Sequence, residues 1–261
     1  MYSGPDGGSN RRVHIAPVGY YLDRVWEVPL REGADRLWLI GHEDSAKDTS
    51  KEFRNEIKAH LKRVRPRMEV REELTDIWNL ERLVRTFSYI VQLERAKNNM
   101  VWVNISTGSK LEGAAGTLVA MAWGASSYYV LATSQQTPDK KERWPCKSGP
   151  KPIAWGFGGK IDLPNYQLDC PEAEALNVMA KLNSMGTAEN PWVRKKQLLA
   201  ETGASDTSNH MRLNRLLEKL EKPPAKVAQE GATRRRRVAL TEEGRLTLLL
   251  FGKSVTAPRT R

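Results

Sequence analysis

The chain has 261 residues, of which 39% are hydrophobic, and carries a formal net charge of +11. This length suits one large domain or two ordinary ones. No apolar run approaches the roughly 20 residues that span a bilayer, and residues 1–10 are polar, unlike a secretory signal. The two cysteines, Cys146 and Cys170, lack CxxC spacing and are too few for a zinc site. We therefore expect a cytoplasmic protein that does not bind metal through cysteine.

The positive charge is denser near the C-terminus. Residues 170–261 hold 17 Lys and Arg against 10 Asp and Glu, whereas residues 1–169 hold 25 against 21. This asymmetry indicates either a nucleic-acid-facing module joined to a more neutral one or a basic surface that only aids solubility.

The first 134 residues are predicted to alternate between strands and helices. The predicted strands are 12–18, 36–41, 67–72, 101–105 and 127–132. The predicted helices are 21–32, 50–64, 79–97 and 111–123. Alternation of this kind predicts an α/β fold with a parallel sheet and helices on both faces. Ligands of such sheets bind beyond the carboxyl ends of the strands.

Residues 133–168, rich in proline and glycine, are predicted to form an irregular extension or linker that ends at a domain boundary near Asp169. Beyond the boundary we expect a helix at 171–183, a second at 191–201 and a third that ends near Glu221. A hairpin of 226–228 with 235–240 and a last helix at 244–251 should follow. This order is typical of a winged helix-turn-helix. The predicted organisation is a ligand-binding domain over 11–168 followed by a DNA-binding domain over 169–255.

A turn rich in glycine and hydroxyl groups connects strand 101–105 to helix 111–123. It consists of Ser106, Thr107, Gly108 and Ser109, with Lys110 next in the first helical turn. Backbone N–H groups and the positive end of the helix dipole make such a turn a cradle for an anion. A cation at this helix end costs about 0.3–1 kcal/mol, which a bound phosphate would offset. The sequence therefore predicts a ligand that carries phosphate.

Two other strand ends are candidates for the same site. Val18, Gly19 and Tyr20 follow the first strand, and His42 follows the second. Because the carboxyl ends of parallel strands share one edge of the sheet, we expect the first turn to face the ligand. His42 either lines this cleft or belongs to a plain polar loop.

The C-terminal third contains the candidate DNA contacts. In the helix that ends near Glu221, leucines form a core stripe and other residues project away from it. The projecting residues are Thr207, Ser208, Met211, Arg212 and Arg215. Backbone phosphate is the predicted partner of two basic clusters, Lys195 with Lys196 and Arg234 with Arg235, Arg236 and Arg237. Solvated basic surfaces are the alternative for both the helix and the clusters.

Several catalytic patterns are absent from the sequence. It contains no GxxxxGK[ST], no GxGxxG after the first strand and no HExxH. ATP hydrolysis through a P-loop, a dinucleotide cofactor and a histidine-bound metal are therefore not expected. We predict no cofactor.

Three segments of the chain are distinctive in sequence. The first runs His-Ile-Ala-Pro-Val-Gly-Tyr over 14–20, followed by Asp23 and Arg24; the second is Asp-Arg-Leu-Trp-Leu-Ile over 35–40, and the third is Asn-Ile-Ser-Thr-Gly-Ser-Lys over 104–110. With these segments the chain resembles the CRISPR-associated Rossmann fold (CARF) proteins joined to a winged helix-turn-helix, in particular the archaeal CARF-like transcriptional regulators. The third segment is similar to the family's Asn-x-Thr-Gly-Gly-Thr-Lys signature, with serine in place of the second glycine.

This resemblance implies a Rossmann-like, mainly parallel sheet and a homodimer whose two-fold axis passes through the ligand cleft. It also implies a cyclic oligoadenylate ligand, a messenger of type III CRISPR antiviral defence, with tetra-adenylate as the expected form. By position, Thr107, Gly108, Ser109 and Lys110 would hold phosphate and ribose, and Val18, Gly19 and Tyr20 would contact the nucleotide.

The leading hypothesis is a dimeric transcriptional regulator whose affinity for double-stranded DNA responds to the cyclic nucleotide. The first alternative is a ring nuclease that cleaves its own ligand, with Ser109, Lys110 and His42 as the catalytic candidates. The second alternative is a CARF-like domain that dimerises without binding any ligand.

Overall fold

The computed structural model describes residues 10–44, 48, 50–132, 157–202, 207–232 and 235–252. The chain divides into two compact units, the first within residues 1–168 and the second within residues 169–255. In the described residues, no helix has both the length and the apolar character needed to cross a membrane.

Unit 1 is an α/β sandwich. Its described strands are β1 (Arg12–Pro17), β2 (Arg36–His42), β3 (Glu69–Thr75), β4 (Met100–Asn104), β5 (Ser126–Ala132) and β6 (Phe157–Asp162). Its described helices are α1 (Leu22–Arg31), α2 (Lys51–Val64), α3 (Leu80–Arg95) and α4 (Lys110–Trp123). The sheet order is β3-β2-β1-β4-β5-β6, with β6 antiparallel to β5 and every other pair parallel. This is the strand order of a Rossmann-type sheet, so the predicted fold class is confirmed for this unit.

The central strands β1 and β2 form because they are largely apolar. Every residue of β2 is buried, as expected for a parallel strand covered by helices on both faces. On one face, a core cluster joins β1 and β2 to α1 and α2 through residues such as Val25, Leu39 and Ile57. The rigid sheet that results holds the loops at its carboxyl edge in fixed positions.

Two predictions for the edges of this sheet were wrong. The strand predicted at 67–72 lies at Glu69–Thr75, where in-register pairing with β2 extends it to the His42–Thr75 pair. Within the predicted irregular extension, Phe157–Asp162 forms β6, which pairs with β5. Its Gly158 and Gly159 favour a loop locally, but the exposed backbone of β5 supplies hydrogen-bonding partners that outweigh this preference.

Unit 2 contains helices and a small antiparallel sheet. Its described elements are α5 (Ala173–Met185), β7 (Val193–Arg194), α6 (Lys195–Glu201), α7 (Thr207–Glu221), β8 (Val227–Glu230), β9 (Arg237–Leu240) and α8 (Glu242–Phe251). The sheet order is β7-β9-β8. Buried leucines of α7, including Leu213 and Leu217, pack with α5, α6 and the sheet in one core.

Two predicted helix starts in unit 2 were also wrong. Pro171 does not open α5, because Glu172 has an extended backbone and serves as the N-cap residue. The helix predicted from Pro191 begins at Lys195, since Val193 and Arg194 pair instead with β9. Residues 203–206, just before α7, lie outside the described residues.

Candidate functional site

The candidate site of unit 1 lies where β1 and β4 end side by side. These two strands pair in parallel, and the strand order changes direction between them: β2 and β3 continue on one side and β5 on the other. In α/β sheets the crevice at such a switch point is the usual place for a ligand. The turns after β1 and β4 therefore occupy the position where a binding site is expected.

Internal hydrogen bonds hold the turn after β4 in shape. The buried Asn104 donates from its side-chain nitrogen to the carbonyl of Arg24 (2.7 Å) and accepts from the N–H of Ser106 (3.0 Å) and from the Ser106 hydroxyl. The hydroxyl of Thr107 donates to the carbonyl of Pro17 (2.7 Å), which ties this turn to the end of β1. The hydroxyls of Ser106 and Thr107, predicted to face the ligand, both donate to protein groups instead: Ser106 to Asn104 and Thr107 to the end of β1.

Two glycines allow the turns to meet backbone to backbone. Gly108 has φ +77°, and a Cβ atom there would lie 2.5 Å from both Pro17 Cβ and Glu112 Oε2. A Cβ atom on Gly19 would lie 3.0 Å from the backbone nitrogen of Gly108. Side chains at either position would push the two turns apart. Gly108 itself is exposed at the surface of the site.

Ser109 and Glu112 form a capping box at the start of α4. The N–H of Ser109 donates to Glu112 Oε2 (2.5 Å), and the N–H of Glu112 donates to the Ser109 hydroxyl (3.2 Å). Burial raises the pKa of Glu112 to about 7, although its hydrogen bonds with Ser109 oppose the shift. Near neutral pH this carboxyl group is therefore about half protonated, which weakens the repulsion of an anion at the turn.

The first residue of α4 carries the cation of the site. Lys110 is exposed, and its position at the positive end of the helix dipole matches the sequence prediction. The capping box satisfies the N–H groups of Ser109 and Glu112. A helix leaves its first four N–H groups without intrahelical partners, so those of Lys110 and Leu111 are available to a ligand. One mobile cation beside free N–H groups can bind a phosphate or another oxyanion.

The structure places the remaining predicted residues of unit 1 in different roles. Val18 is buried and donates its N–H to the carbonyl of Ile40 (3.0 Å), so only its backbone lines the edge. Tyr20 is 46% exposed. His42 is almost fully buried: its Nδ1 accepts from the N–H of Asp44 (2.9 Å), and its Nε2 lies 3.9 Å from Asp76 Oδ1.

Asn104 and Glu112 shape the candidate site but were not among the residues predicted for it. The spacing Ser-x-x-Glu over 109–112 is the signature of a capping box and could have pointed to Glu112. Asn104 was visible as a polar residue at the end of an apolar strand. Within the described part of the chain, no group of three or more His, Cys, Asp or Glu side chains is arranged to hold a metal ion.

In unit 2, α7 exposes most of the side chains predicted to face DNA. Ser208, Met211, Arg212 and Arg215 are exposed on the side opposite the leucine stripe. The guanidinium of Arg212 pairs with Glu174 of α5, with its Nη2 2.6 Å from the carboxylate. Exposed pairs of this kind contribute little to stability, so Arg212 can exchange its partner readily. The Thr207 side chain lies outside the described residues.

A basic cleft of about 760 Å³ lies along the small sheet of unit 2. Its lining consists of Arg194, Glu230, Gly231, Arg235 and Arg237. Arg194 and Glu230 both face Arg237 in the strand register, and Glu230 forms an ion pair with it. The lining thus contains three arginines and one carboxylate, which leaves net positive charge in the cleft.

Among the other predicted cations of unit 2, Lys195 opens α6 and donates its N–H to the carbonyl of Arg236 (3.0 Å), while Lys196 is exposed. Burial and the nearby Arg236 lower the pKa of Lys195. Arg234 lies outside the described residues. Sequence analysis missed Arg194, although it directly precedes Lys195 and Lys196 in one basic run.

Comparison with known proteins gives a family match for part of unit 1. Residues 12–135 match the family model described as "HFX_2341_N:-like, N-terminal". An uncharacterized protein of Methanocaldococcus jannaschii is 28% identical over 207 residues, which are 71% of this chain and 59% of that protein. The chain thus spans less than two thirds of this relative. The family match includes both turns of the candidate site.

Two solved structures with a similar chain path hold cyclic nucleotides. Csm6 of Enterococcus italicus, bound to cyclic hexa-2'-fluoro-hexa-dAMP, aligns with a TM-score of 0.44 and 12% identity over 82% of this chain and 55% of its own. Can2 of Sulfobacillus thermosulfidooxidans, in complex with cyclic tetra-adenylate, aligns with a TM-score of 0.41 and 11% identity over 92% of this chain and 62% of its own.

Proposed function

We propose that this chain is a DNA-binding regulator whose unit 1 senses a cyclic oligoadenylate. In this proposal unit 1 binds the messenger and pairs with a second copy of itself, and unit 2 is a winged helix-turn-helix that binds double-stranded DNA. The observation that carries the proposal is the paired turn of Gly19 and Gly108 with Lys110 beside it, at the switch point of a Rossmann-type sheet.

The chemistry of this turn supports a ligand with phosphate groups. Gly108 and the first residues of α4 offer backbone N–H groups without side-chain bulk, and Lys110 adds a positive charge. The protonation of Glu112 limits the negative charge behind the turn near neutral pH. The sequence Asn-Ile-Ser-Thr-Gly-Ser-Lys over 104–110, similar to the CARF signature, narrows this ligand class to a cyclic oligoadenylate.

The arrangement of unit 2 supports duplex DNA as the second partner. The order of α5, β7, α6, α7 and the β8–β9 hairpin is consistent with a winged helix-turn-helix. Such a fold places the helix equivalent to α7 in the major groove and the hairpin near the backbone. The exposed face of α7 and the arginine cleft beside the hairpin carry the residues that these two contacts require.

Regulation requires that the messenger favour one DNA-binding arrangement over another. A ligand shifts such an equilibrium only by its difference in affinity for the two states. In a dimer with a shared cleft, one ring contacts both copies of the Lys110 turn and so favours a single relative orientation of the two chains. The proposed readout is a change in DNA affinity.

DNA affinity measured against salt tests the proposal. Anisotropy of a labelled duplex, taken from 50 to 200 mM salt with and without cyclic tetra-adenylate, will show a steep loss of affinity with salt. The ligand will change the affinity at each salt concentration. Arg237→Gln will lower the slope of log K against log salt by about one, as expected for one lost phosphate contact.

Arg85→Gln is the matched control, because Arg85 is an exposed arginine of unit 1 that pairs with Glu81 on the same helix. Its salt dependence should equal that of the wild type. A DNA affinity that does not change with salt concentration would rule out direct contact between unit 2 and the phosphate backbone.

The geometry does not favour the ring-nuclease alternative. The proposed general base, His42, is almost fully buried and directs its nitrogens toward Asp44 and Asp76 at the ends of β2 and β3. The Ser109 hydroxyl accepts the N–H of Glu112 in the capping box. We therefore propose binding of the messenger and no catalytic role for these residues.

A further inference from the structure

Trp78 stands out among the aromatic side chains at the carboxyl edge of the sheet. It follows the end of β3, and its side chain is 68% exposed. The other tryptophans in the described part of the chain are buried or half-buried. A tryptophan side chain is the largest apolar group that a protein can offer to a planar ligand.

The turn that carries Trp78 is held firmly. The N–H of Trp78 donates to Asp76 Oδ1 (3.0 Å), and the N–H of Asn79 donates to the carbonyl of Asp76 (3.2 Å). Asn79 caps α3 by accepting the N–H of Arg82 (3.1 Å). An aromatic residue on such a turn loses little freedom when it stacks on a ligand, which reduces the entropic cost of binding.

Trp78 shares the edge that carries the Gly108 turn. His42 at the end of β2 pairs with Thr75 at the end of β3, and the N–H of Glu43 donates to the carbonyl of Thr75 (3.0 Å). In the sheet, β2 and β1 lie between β3 and β4. Neighbouring strands are about 4.8 Å apart, so the ends of β3 and β4 are separated by about 14 Å. Tyr20 follows β1, between these two ends, and is also exposed.

The charges at the β3 end oppose a second phosphate there. The carboxylate of Asp76 accepts the N–H of Trp78, and Glu43, whose N–H donates to the carbonyl of Thr75 at the end of β3, adds a second carboxylate that is paired with Arg82. A neutral base is not repelled by these groups, whereas a phosphate is. The edge is thus divided into an anion-binding end at Lys110 and an aromatic end at Trp78.

From this division we infer that Trp78 is a base-stacking residue for the ligand of unit 1, in a subsite for a purine ring about 14 Å from the phosphate held at the Gly108 turn. The inference rests on the proposed nucleotide function and adds to it a position for the base. A span of this size calls for a ligand made of several linked nucleotides. Stacking on tryptophan is tolerant of sequence because every base presents a π-face.

Titration of the full chain with cyclic tetra-adenylate, followed by calorimetry and by tryptophan fluorescence, tests this role. Trp78→Ala will weaken binding at least five-fold, as expected for the loss of one stacked base. Trp78→Phe keeps an aromatic face, so it will bind within three-fold of the wild type but lose much of the ligand-induced fluorescence change. Because Trp78 is exposed, both variants should unfold at the wild-type temperature.

Tyr166→Ala is the matched control, since Tyr166 is 69% exposed and follows β6, whose last residues pair with the start of β5 at the opposite edge of the sheet. This control should bind like the wild type. Equal affinity of the wild type and Trp78→Ala would overturn the stacking role alone. No binding by the wild type would overturn the proposed function as well. A change in the oligomeric state of unliganded Trp78→Ala would make Trp78 a subunit contact and overturn the inference.

Discussion

At the scale of single residues, Glu94 on α3 is a buried charge of unit 1 with several hydrogen-bond donors around it. Its side chain is fully buried and accepts hydrogen bonds from Arg36 (2.7 Å), from Trp38 Nε1 (2.8 Å) and from Asn99 Nδ2 (2.7 Å). Burial alone would raise the pKa of Glu94, but these donors outweigh it and hold the pKa below its ordinary value. The carboxylate therefore stabilises the fold above about pH 4.5, and this contribution is lost as the pH falls through the lowered pKa.

We predict that Glu94→Gln will lower the free energy of unfolding at pH 7 by about 3 kcal/mol, because it removes one partner of a buried ion pair with Arg36. Urea denaturation measures this loss, which should shrink on acidification. Glu81→Gln, on the exposed face of the same helix, should cost less than about 0.5 kcal/mol. A cost for Glu94→Gln as small as that of the control would contradict this assignment.

The raised pKa of Glu112 makes stability depend on pH in the opposite direction. The folded protein holds a proton on this buried carboxyl up to about pH 7, whereas its ordinary pKa is 4.5. Its contribution to stability is therefore fully present below pH 4.5 and is lost as the pH rises to about 7.

Glu112→Gln cannot titrate but can still complete a capping box. As the pH rises from 5 to 8, the wild type loses the contribution of Glu112 and the variant does not. We predict that the free energy of unfolding of the variant, relative to that of the wild type, will therefore rise by up to about 3 kcal/mol over this range. Denaturation curves at the two pH values give the difference. Parallel pH profiles for the two proteins would show that Glu112 does not titrate in this range.

At the scale of elements, the link between the turns after β1 and β4 depends on one hydroxyl. Thr107 Oγ1 donates to the carbonyl of Pro17 (2.7 Å), and the side chain is buried. Thr107→Val keeps the shape but leaves that carbonyl without its partner, at a cost of about 1–3 kcal/mol. We predict that it will also weaken binding of cyclic tetra-adenylate in calorimetry, because the two turns separate.

Thr107→Ser retains the hydroxyl and is the control for this variant. It should keep ligand affinity within a few-fold of the wild type. Equal binding by the valine and serine variants would mean that the turns are held together by the glycine contacts alone.

The elements that sequence analysis predicted well are those whose signal is local. The apolar run of β2, the period-four stripes of α2 and α3, and the turn before α4 are each visible within a few residues. The strand β6 could not be predicted in this way, because its Gly158 and Gly159 favour a loop and its pairing with β5 joins residues about 30 positions apart. The strand β7 could not be predicted from local sequence either, because its partner β9 follows some 40 residues later.

The residues of the candidate site show the same limit. The Gly108 turn, including Ser109, and Lys110 were predicted from one short segment, whereas the capping role of Ser109 was not. The bond from Thr107 to Pro17 spans 90 positions and became visible only in the fold. Sequence analysis also could not show that the Ser106 and Thr107 hydroxyls donate to protein groups, because this depends on where the fold places Asn104 and the carbonyl of Pro17.

At the scale of the whole molecule, residues 1–169 carry a smaller excess of positive charge than the C-terminal third, where DNA binding is proposed. The excess of 17 Lys and Arg over 10 Asp and Glu in residues 170–261 matches the arginine cleft of unit 2. The Lys110 turn of unit 1 holds much less charge, as suits a ligand recognised partly by its bases. A ring with repeated nucleotides fits a symmetric pair of such turns, so we predict one ring for every two chains.

Calorimetric titration of the full chain with cyclic tetra-adenylate tests the central claim most directly. We predict binding with half a ring per chain, and an affinity at least ten-fold lower for Lys110→Ala than for the wild type. Lys97→Ala, at an exposed lysine in the loop between α3 and β4, should bind like the wild type. The absence of binding heat in the wild type, or equal affinities for wild type and Lys110→Ala, would contradict the account.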